Sequence, residues 1–201
     1  MALVLFDLGG VMVRVAYQWG RTLPELSPRF SQVSLGECAE FEAFQADRID
    51  LQTYLGALAG FLALDSPDRA LEAHNGILKE PFPGTLDLVE ELHSAGIPTG
   101  CLSNTNDPHW QVMKHSGRYP AIAALQTPIL SHEVRAEKPD PKIYQIAEDK
   151  TGLSGREIIF FDDLEKNVRA ARDRDWHAFQ IDPDADPAQQ ARQHLVDLGI
   201  L

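Results

Sequence analysis

The sequence predicts an α/β protein with a doubly wound parallel sheet, a Rossmann-like core carrying a small helical cap. Three observations predict it. Short apolar runs alternate with segments of helical periodicity, the pattern of strands buried on both faces between helices. Several of those runs stop abruptly at polar residues, as strands do at the ligand-binding edge of an open α/β sheet. One stretch of about seventy residues, 14–83, breaks the alternation and carries helical spacing only.

The elements read in order. Leu3-Val4-Leu5-Phe6 is a buried strand that delivers Asp7 to the turn Leu8-Gly9-Gly10-Val11. In residues 14–83, apolar positions such as Phe41 and Phe44, or Leu55, Leu58 and Leu62, repeat at helical intervals, while Pro24, Pro28 and Pro67 divide the segment into short helices. No strand is expected there. From residue 84 the rhythm resumes: a helix with Leu86, Val89 and Leu92 on one side, stopped by Ala95-Gly96 and Pro98. A strand at 100–102 runs into Ser103-Asn104, and 126–130 has the weight of another strand. Asp140 as N-cap and Pro141 at the first helical position open a helix that Thr151-Gly152 closes. Strand 158–161 ends in Asp162-Asp163, a helix passes through Val168 and Ala171, and 178–181 is the last strand. The expected organisation is a core of residues 1–13 and 84–201, with residues 14–83 as the helical insertion.

Composition narrows the function. The chain has 201 residues, enough to bury a sizeable core, and a formal net charge of −12, which argues against a nucleic-acid backbone as partner. No apolar run approaches the roughly 20 residues of a membrane span. Met1-Ala2 leads straight into a strand without a basic leader, and the two cysteines, Cys38 and Cys101, are expected to be reduced and structural, as in a cytoplasmic protein. Oligomeric state is not legible.

If the strands are parallel, their C-terminal ends share one edge. Asp7, Ser103, Lys138 and the pair Asp162-Asp163 then converge: a carboxylate, a hydroxyl, a cation and two more carboxylates. This ordered set resembles the haloacid dehalogenase-like hydrolase superfamily over residues 3 to about 182. The closest likeness is to small phosphatases reading Phe-Asp-Leu-Gly-Asn/Gly-Val, Leu-Ser-Asn-Thr-Asn, Lys-Pro and Phe-Phe-Asp-Asp, motifs present here at Asp7, Ser103, Lys138 and Asp162-Asp163.

The resemblance implies a helical cap at residues 14–83, hinged near Arg14 to Tyr17 and Phe82 to Gly84. It implies Asp7 as a nucleophile that forms an aspartyl-phosphate, Ser103 as a donor to a phosphoryl oxygen, and Lys138 as the balancing charge. It also implies a Mg²⁺ held by Asp7, Asp163, the Gly9 carbonyl and Asp162, directly or through water, with Asn167 orienting these groups. Backbone N–H groups of the Leu8-Gly9-Gly10 turn and of Asn104 are candidates to cradle the phosphate. The substrate so implied is a small phosphorylated metabolite. Residues alone give only the clustering of carboxylates. Three acids facing an anionic ester need a divalent cation, which suits phosphoryl transfer.

One departure stands out. The superfamily's phosphatases usually carry a second Asp two residues after the nucleophile, which protonates the leaving oxygen; here that position is Gly9. Arg14, Asn104 and His109 are candidates to replace it. Gly9 also suits a haloacid dehalogenase with Asp7 as nucleophile, and a catalytically weak binding or regulatory protein on the same fold. A phosphoreceiver module would place its acidic pair after the first strand. Asp182-Pro183-Asp184-Ala185-Asp186 is read as a surface loop, since Pro187 and Gln193 occupy the Gly and Glu positions of a calcium loop. His109 and His115 are expected at the surface. Trp110 and Trp176 are expected to pack, and Trp19 is a candidate to touch substrate.

Overall fold

The structure, a computed structural model, describes residues 2–201. Seven strands form two sheets: β1 (Leu3–Phe6), β2 (Val13–Val15), β3 (Leu78–Pro81), β4 (Thr99–Ser103), β5 (Thr127–Leu130), β6 (Ile158–Asp162) and β7 (His177–Gln180). The main sheet has the order β5-β4-β1-β6-β7, and all its pairings are parallel. The chain steps outward from β1 through β4 to β5, then returns to β6 and steps outward to β7. The order reverses between β1 and β6, the switch point at which open α/β sheets leave a crevice for ligands.

Alternation along β1 sends Val4 and Phe6 to one face and Leu3 and Leu5 to the other. The first face is covered by helices Thr85–Ser94, Asp107–His115, Pro120–Ala124 and Pro187–Asp197; the second by Pro141–Thr151 and Glu165–Arg172. Burial on both faces explains why these strands read as uninterrupted apolar runs. The Asp140 carboxylate caps its helix by accepting from the Lys142 N–H at 2.9 Å. Helices 107–115, 120–124 and 187–197 are additional to the elements that the sequence predicts. Helices 107–115 and 187–197 start on Asn106 and Asp186, whose side-chain oxygens accept from His109 and Gln189 N–H groups, with Pro108 and Pro187 in the first turn. Among the described residues, no helix is long and apolar enough to cross a membrane.

Between β1 and the helix at Thr85 the chain leaves the sheet and builds its own apolar core around Trp19, Phe41, Tyr54, Leu58 and Leu62. Helices Ala39–Gln45, Leu51–Leu62 and Pro67–Asn75 supply most of it. The expectation of no strand here is corrected: β2 and β3 pair antiparallel at the two roots of the insertion, with Val13 opposite Pro81 and Val15 opposite Leu78. This two-stranded ribbon ties exit to re-entry. Trp19 is fully buried in the insertion's core, so it contacts no solvent-borne ligand. Trp110 and Trp176 pack as expected, and Cys38 and Cys101 are buried free thiols.

Candidate active site

Strand register builds the site. Phe6 lies level with Cys101 on β4 and Phe161 on β6, so Asp7 and Asp162 emerge side by side at one edge, and Ser103 closes β4 two residues beyond Cys101. Asp7 Oδ1 accepts from the N–H of Leu8 at 2.7 Å and pairs with Lys138 Nζ at 2.9 Å. The same ammonium lies 2.6 Å from Asp162 Oδ2. Lys138 is therefore a buried cation bridging two strand-end carboxylates, and its side chain is wholly out of solvent. Its backbone is held on both sides by one amide: Asn104 Nδ2 donates to the Lys138 carbonyl at 2.9 Å, and the Lys138 N–H donates to Asn104 Oδ1 at 2.7 Å.

Asp162 is fully committed within the protein. Its Oδ1 accepts from Leu164 N–H at 2.8 Å and Asn167 Nδ2 at 2.9 Å, and its Oδ2 accepts from Lys138 and from Asn167 Nδ2 at 3.1 Å. Asp163 is different: half-buried, it faces the cavity over the sheet edge. One oxygen from each of Asp7, Asp162 and Asp163 lies within 4.8 Å of the others. Burial pushes the Asp163 carboxyl up to about 7, helped by the charges of Asp7 and Asp162 and opposed by Lys138. Burial also raises Asp7, against the pull of Lys138 and with the push of Asp162. Lys138 is raised too: burial would lower it, but Asp7 and Asp162 outweigh burial. Three carboxylates against one ammonium leave an excess of two negative charges when all are ionised.

These residues fit a divalent cation. The surplus charge is that of one such ion, the donors are hard oxygens, and Asn167 Oδ1 is a buried acceptor with no protein partner beside the cavity. Gly10 has φ +77°, and a Cβ there would lie 2.6 Å from the Asp163 carboxyl carbon, so only glycine lets that carboxylate sit where it does. Gly9 lines the cavity with its backbone, whereas Gly10 stays behind Asp163 and is not part of the wall. Ser103, at the end of β4, is buried and faces the same space.

A cavity of about 470 Å³ opens above this edge, between the sheet and the helical insertion. Asp7, Gly9, Ser103, Asn104, Lys138, Asp163 and Asn167 all line it, and Asp162 lies directly beneath. The three candidates to replace a proton donor at position 9 are otherwise engaged. Arg14 is exposed and stacks on the Phe82 ring at 4.4 Å, outside the cavity wall. Both ends of the Asn104 amide hold Lys138. His109, expected at the surface, is buried, and both ring nitrogens are occupied. His115 is exposed as expected.

His109 belongs to a polar seam that joins the insertion to the core. Tyr54 donates to His74 Nδ1 at 2.9 Å, and His74 Nε2–H donates to Asn106 Oδ1 at 3.0 Å. His109 Nε2–H donates to the His74 carbonyl at 2.9 Å, and the two imidazoles stack with centroids 4.0 Å apart. Every bond is satisfied with both rings neutral. Burial pushes His109 down to about 4, partly offset by its bond to the His74 carbonyl, and holds His74 well below its usual value. A depressed histidine contributes stability above its unfolded value near 6.5 and loses it as pH falls through the folded value. Asp163, raised in the folded state, runs the other way over the same window. The seam is therefore read as a difference: the stability advantage of the wild type over His109→Gln should shrink by about 2 kcal/mol from pH 7.5 to pH 5, measured by urea unfolding without metal. An advantage independent of pH would mean that His109 titrates normally.

A model of the haloacid dehalogenase-like hydrolases matches residues 1–173. The chain belongs to that family. It is a hydrolase of the haloacid dehalogenase-like type, and its relatives include dehalogenases and phosphatases. It is 27% identical over 77% of its length to (S)-2-haloacid dehalogenase 1 of Pseudomonas sp. strain CBS-3, and that match spans 64% of the dehalogenase. The match to (S)-2-haloacid dehalogenase 4A of Burkholderia cepacia, at 30% identity, spans 38% of that protein. Phosphatase MT3486 of Mycobacterium tuberculosis is 25% identical and aligned almost end to end, over 98% of this chain and 95% of its own. Among solved structures, a magnesium complex of a family enzyme from Bacteroides thetaiotaomicron superposes with TM-score 0.79 at 21% identity, covering 96% of this chain and 98% of that one.

Proposed function

We propose that this hydrolase is a Mg²⁺-dependent phosphatase of a small phosphorylated metabolite, acting through an aspartyl-phosphate on Asp7, with residues 14–83 as its cap. The observation that carries the reading is the cluster of Asp7, Asp162 and Asp163 under a cavity whose lining, among the described residues, contains one cation, Lys138. Asp7, Asp163 and the Gly9 carbonyl would hold the metal, with Asn167 Oδ1 free to accept from a water in its shell. Asp162 serves better as the fixed anion that positions Lys138, since its oxygens already carry protein hydrogen bonds. A bound Mg²⁺ would neutralise the carboxylates and the phosphoryl oxygens and keep them in line.

The chain's own groups do the rest. Leu8 N–H and Lys138 fix one Asp7 oxygen, leaving Oδ2 to attack phosphorus. The ester P–O bond breaks, and the alcohol leaves with the bonding pair and takes a proton from solvent water. Water then attacks the phosphorus of the acyl phosphate, releasing phosphate and a proton and restoring the Asp7 carboxylate. Ser103 and the Gly9 N–H donate to the phosphoryl oxygens, since Leu8 N–H already donates to Asp7 Oδ1 and Gly10 N–H to the Val13 carbonyl, and Lys138 offsets their charge.

The dehalogenase reading has two observations behind it, Gly9 and the dehalogenase relatives. It places a haloacid's carboxylate against Asp7 and Asp163 with no free cation to receive it. That electrostatic cost favours the phosphatase. The test is hydrolysis of p-nitrophenyl phosphate and of 2-chloropropionate, each with Mg²⁺ and with chelator. Phosphate release that chelator abolishes supports the reading; chloride release that is indifferent to chelator overturns it.

Nothing in the backbone obliges position 9 to be glycine. A Cβ there would meet Val15 Cγ1 at an ordinary 3.5 Å. Without a donor at this position, turnover should fall steeply as the leaving alcohol becomes more basic. Gly9→Asp should then raise kcat on alkyl phosphates about tenfold or more while leaving p-nitrophenyl phosphate little changed. Equal response of the two esters would show that another group already supplies the proton.

A further inference from the structure

We infer that the cavity selects phosphate monoesters whose alcohol part is uncharged and mainly apolar, and that Tyr17 and Leu164 at its mouth set this preference. The inference rests on the phosphatase reading and names the substrate class for that same site.

The walls above the acidic floor are hydrophobic. Val15, Ala16 and Ile77 come from the roots of the insertion, Leu35 and Phe41 from its body, and Met113 from the core. The polar groups among them are largely spent. The Asn104 amide holds Lys138, and both His109 nitrogens are bonded within the seam. What remains for a ligand beyond the phosphate is neutral: the Gln45 amide N–H₂ and the hydroxyls of Tyr17, Ser34 and Thr105.

The mouth is apolar as well. Among the described residues, three large hydrophobic side chains are exposed, Tyr17, Leu164 and Val196, and two of these three line this one cavity. Tyr17 stands at the root of the insertion and Leu164 follows Asp163, so they face the entrance from opposite domains. Exposed large apolar groups gathered at a cleft mark a surface that a ligand covers.

Charge points the same way. Lys138 is the one cation in the lining, and it is already shared between Asp7 and Asp162. A second phosphate or a carboxylate on the substrate would lie in an apolar wall, near Asp7 and Asp163, with no counter-ion. Burying an unpaired charge is costly and its repulsion by like charge adds to that cost.

The test is a series of 4-alkylphenyl phosphates, in which leaving-group acidity stays constant while the alkyl chain grows from hydrogen to butyl. Its charged counterpart is 4-(3-carboxypropyl)phenyl phosphate, of equal length. With Mg²⁺ present, kcat/KM should rise about two- to fourfold per methylene until the cavity is filled. The carboxylated ester should fall at least about tenfold below the butyl one. Tyr17→Ala and Leu164→Ala should raise KM several-fold for the butyl ester and less for the shorter phenyl phosphate. Binding of the matching 4-alkylphenylphosphonates, followed by calorimetry, supplies a readout that needs no turnover. Hydrolysis of phenyl phosphate with a flat chain-length response, or with the carboxylated ester preferred, overturns the inference and leaves the phosphatase reading standing. Absence of hydrolysis with a retained chain-length trend in phosphonate affinity supports the apolar cavity and overturns the phosphatase reading. A flat trend in affinity overturns the inference in either case.

Discussion

Asp7→Asn is expected to lower kcat/KM for phosphate esters by more than about a thousandfold while leaving the fold intact. The amide is nearly isosteric. Its oxygen will stay where Leu8 N–H and Lys138 both donate to Oδ1, because an amide nitrogen cannot accept from either. The N–H₂ group is then forced into the Oδ2 position facing the cavity, where it has no nucleophilic lone pair. The substitution also removes one negative charge from a cluster that holds an excess of them, so unfolding temperature should not fall. Steady-state kinetics and a thermal melt check both halves. Activity within tenfold of wild type would remove Asp7 from the mechanism.

Lys138→Met should have the largest effect on stability, about 3–5 kcal/mol, together with loss of turnover. The ammonium is the shared partner of two carboxylates at 2.9 Å and 2.6 Å, with its side chain out of solvent. Removing it leaves Asp7 and Asp162 charged, adjacent and unpaired. The sign of the pH dependence follows. Asp7, already raised by burial, rises further without the lysine, so the variant gains stability as pH falls and the carboxyl takes a proton. The gap from wild type should therefore narrow between pH 8 and pH 5, as urea unfolding would measure. A gap below 1 kcal/mol at pH 8 would mean that the buried pair is not balanced as described.

β1 and β6 were legible because burial on both faces leaves no polar residue inside them, and Asp7, Ser103 and Asp162-Asp163 were legible because polarity returns abruptly at the strand ends. Lys138 was placed by its motif, but its burial was not readable; a lysine before a proline looks like any solvated lysine. The β2–β3 ribbon escaped notice for a different reason. Val13–Val15 and Leu78–Pro81 are too short to show a period of two, and they pair across more than sixty residues. The stacked pair His74 and His109 is likewise non-local, so His109 was misplaced at the surface. Its own neighbourhood held a local clue: Asn106 followed by Pro108 is a helix start, which makes His109 an inward third position of that helix. Asp162 and Asp163 are adjacent in sequence, and only the geometry separates a carboxylate saturated by Lys138, Asn167 and Leu164 N–H from one that faces the cavity.

The account turns on a phosphoryl group passing through Asp7. Enzyme quenched during turnover of p-nitrophenyl phosphate with Mg²⁺ and treated at once with borohydride will have any acyl phosphate reduced to an alcohol, and peptide mass spectrometry locates it. The account predicts reduction at residue 7, dependent on both Mg²⁺ and substrate and missing in Asp7→Asn. Reduction at Asp163, or turnover at full rate in enzyme whose residue 7 remains unmodified under every quench, would contradict it.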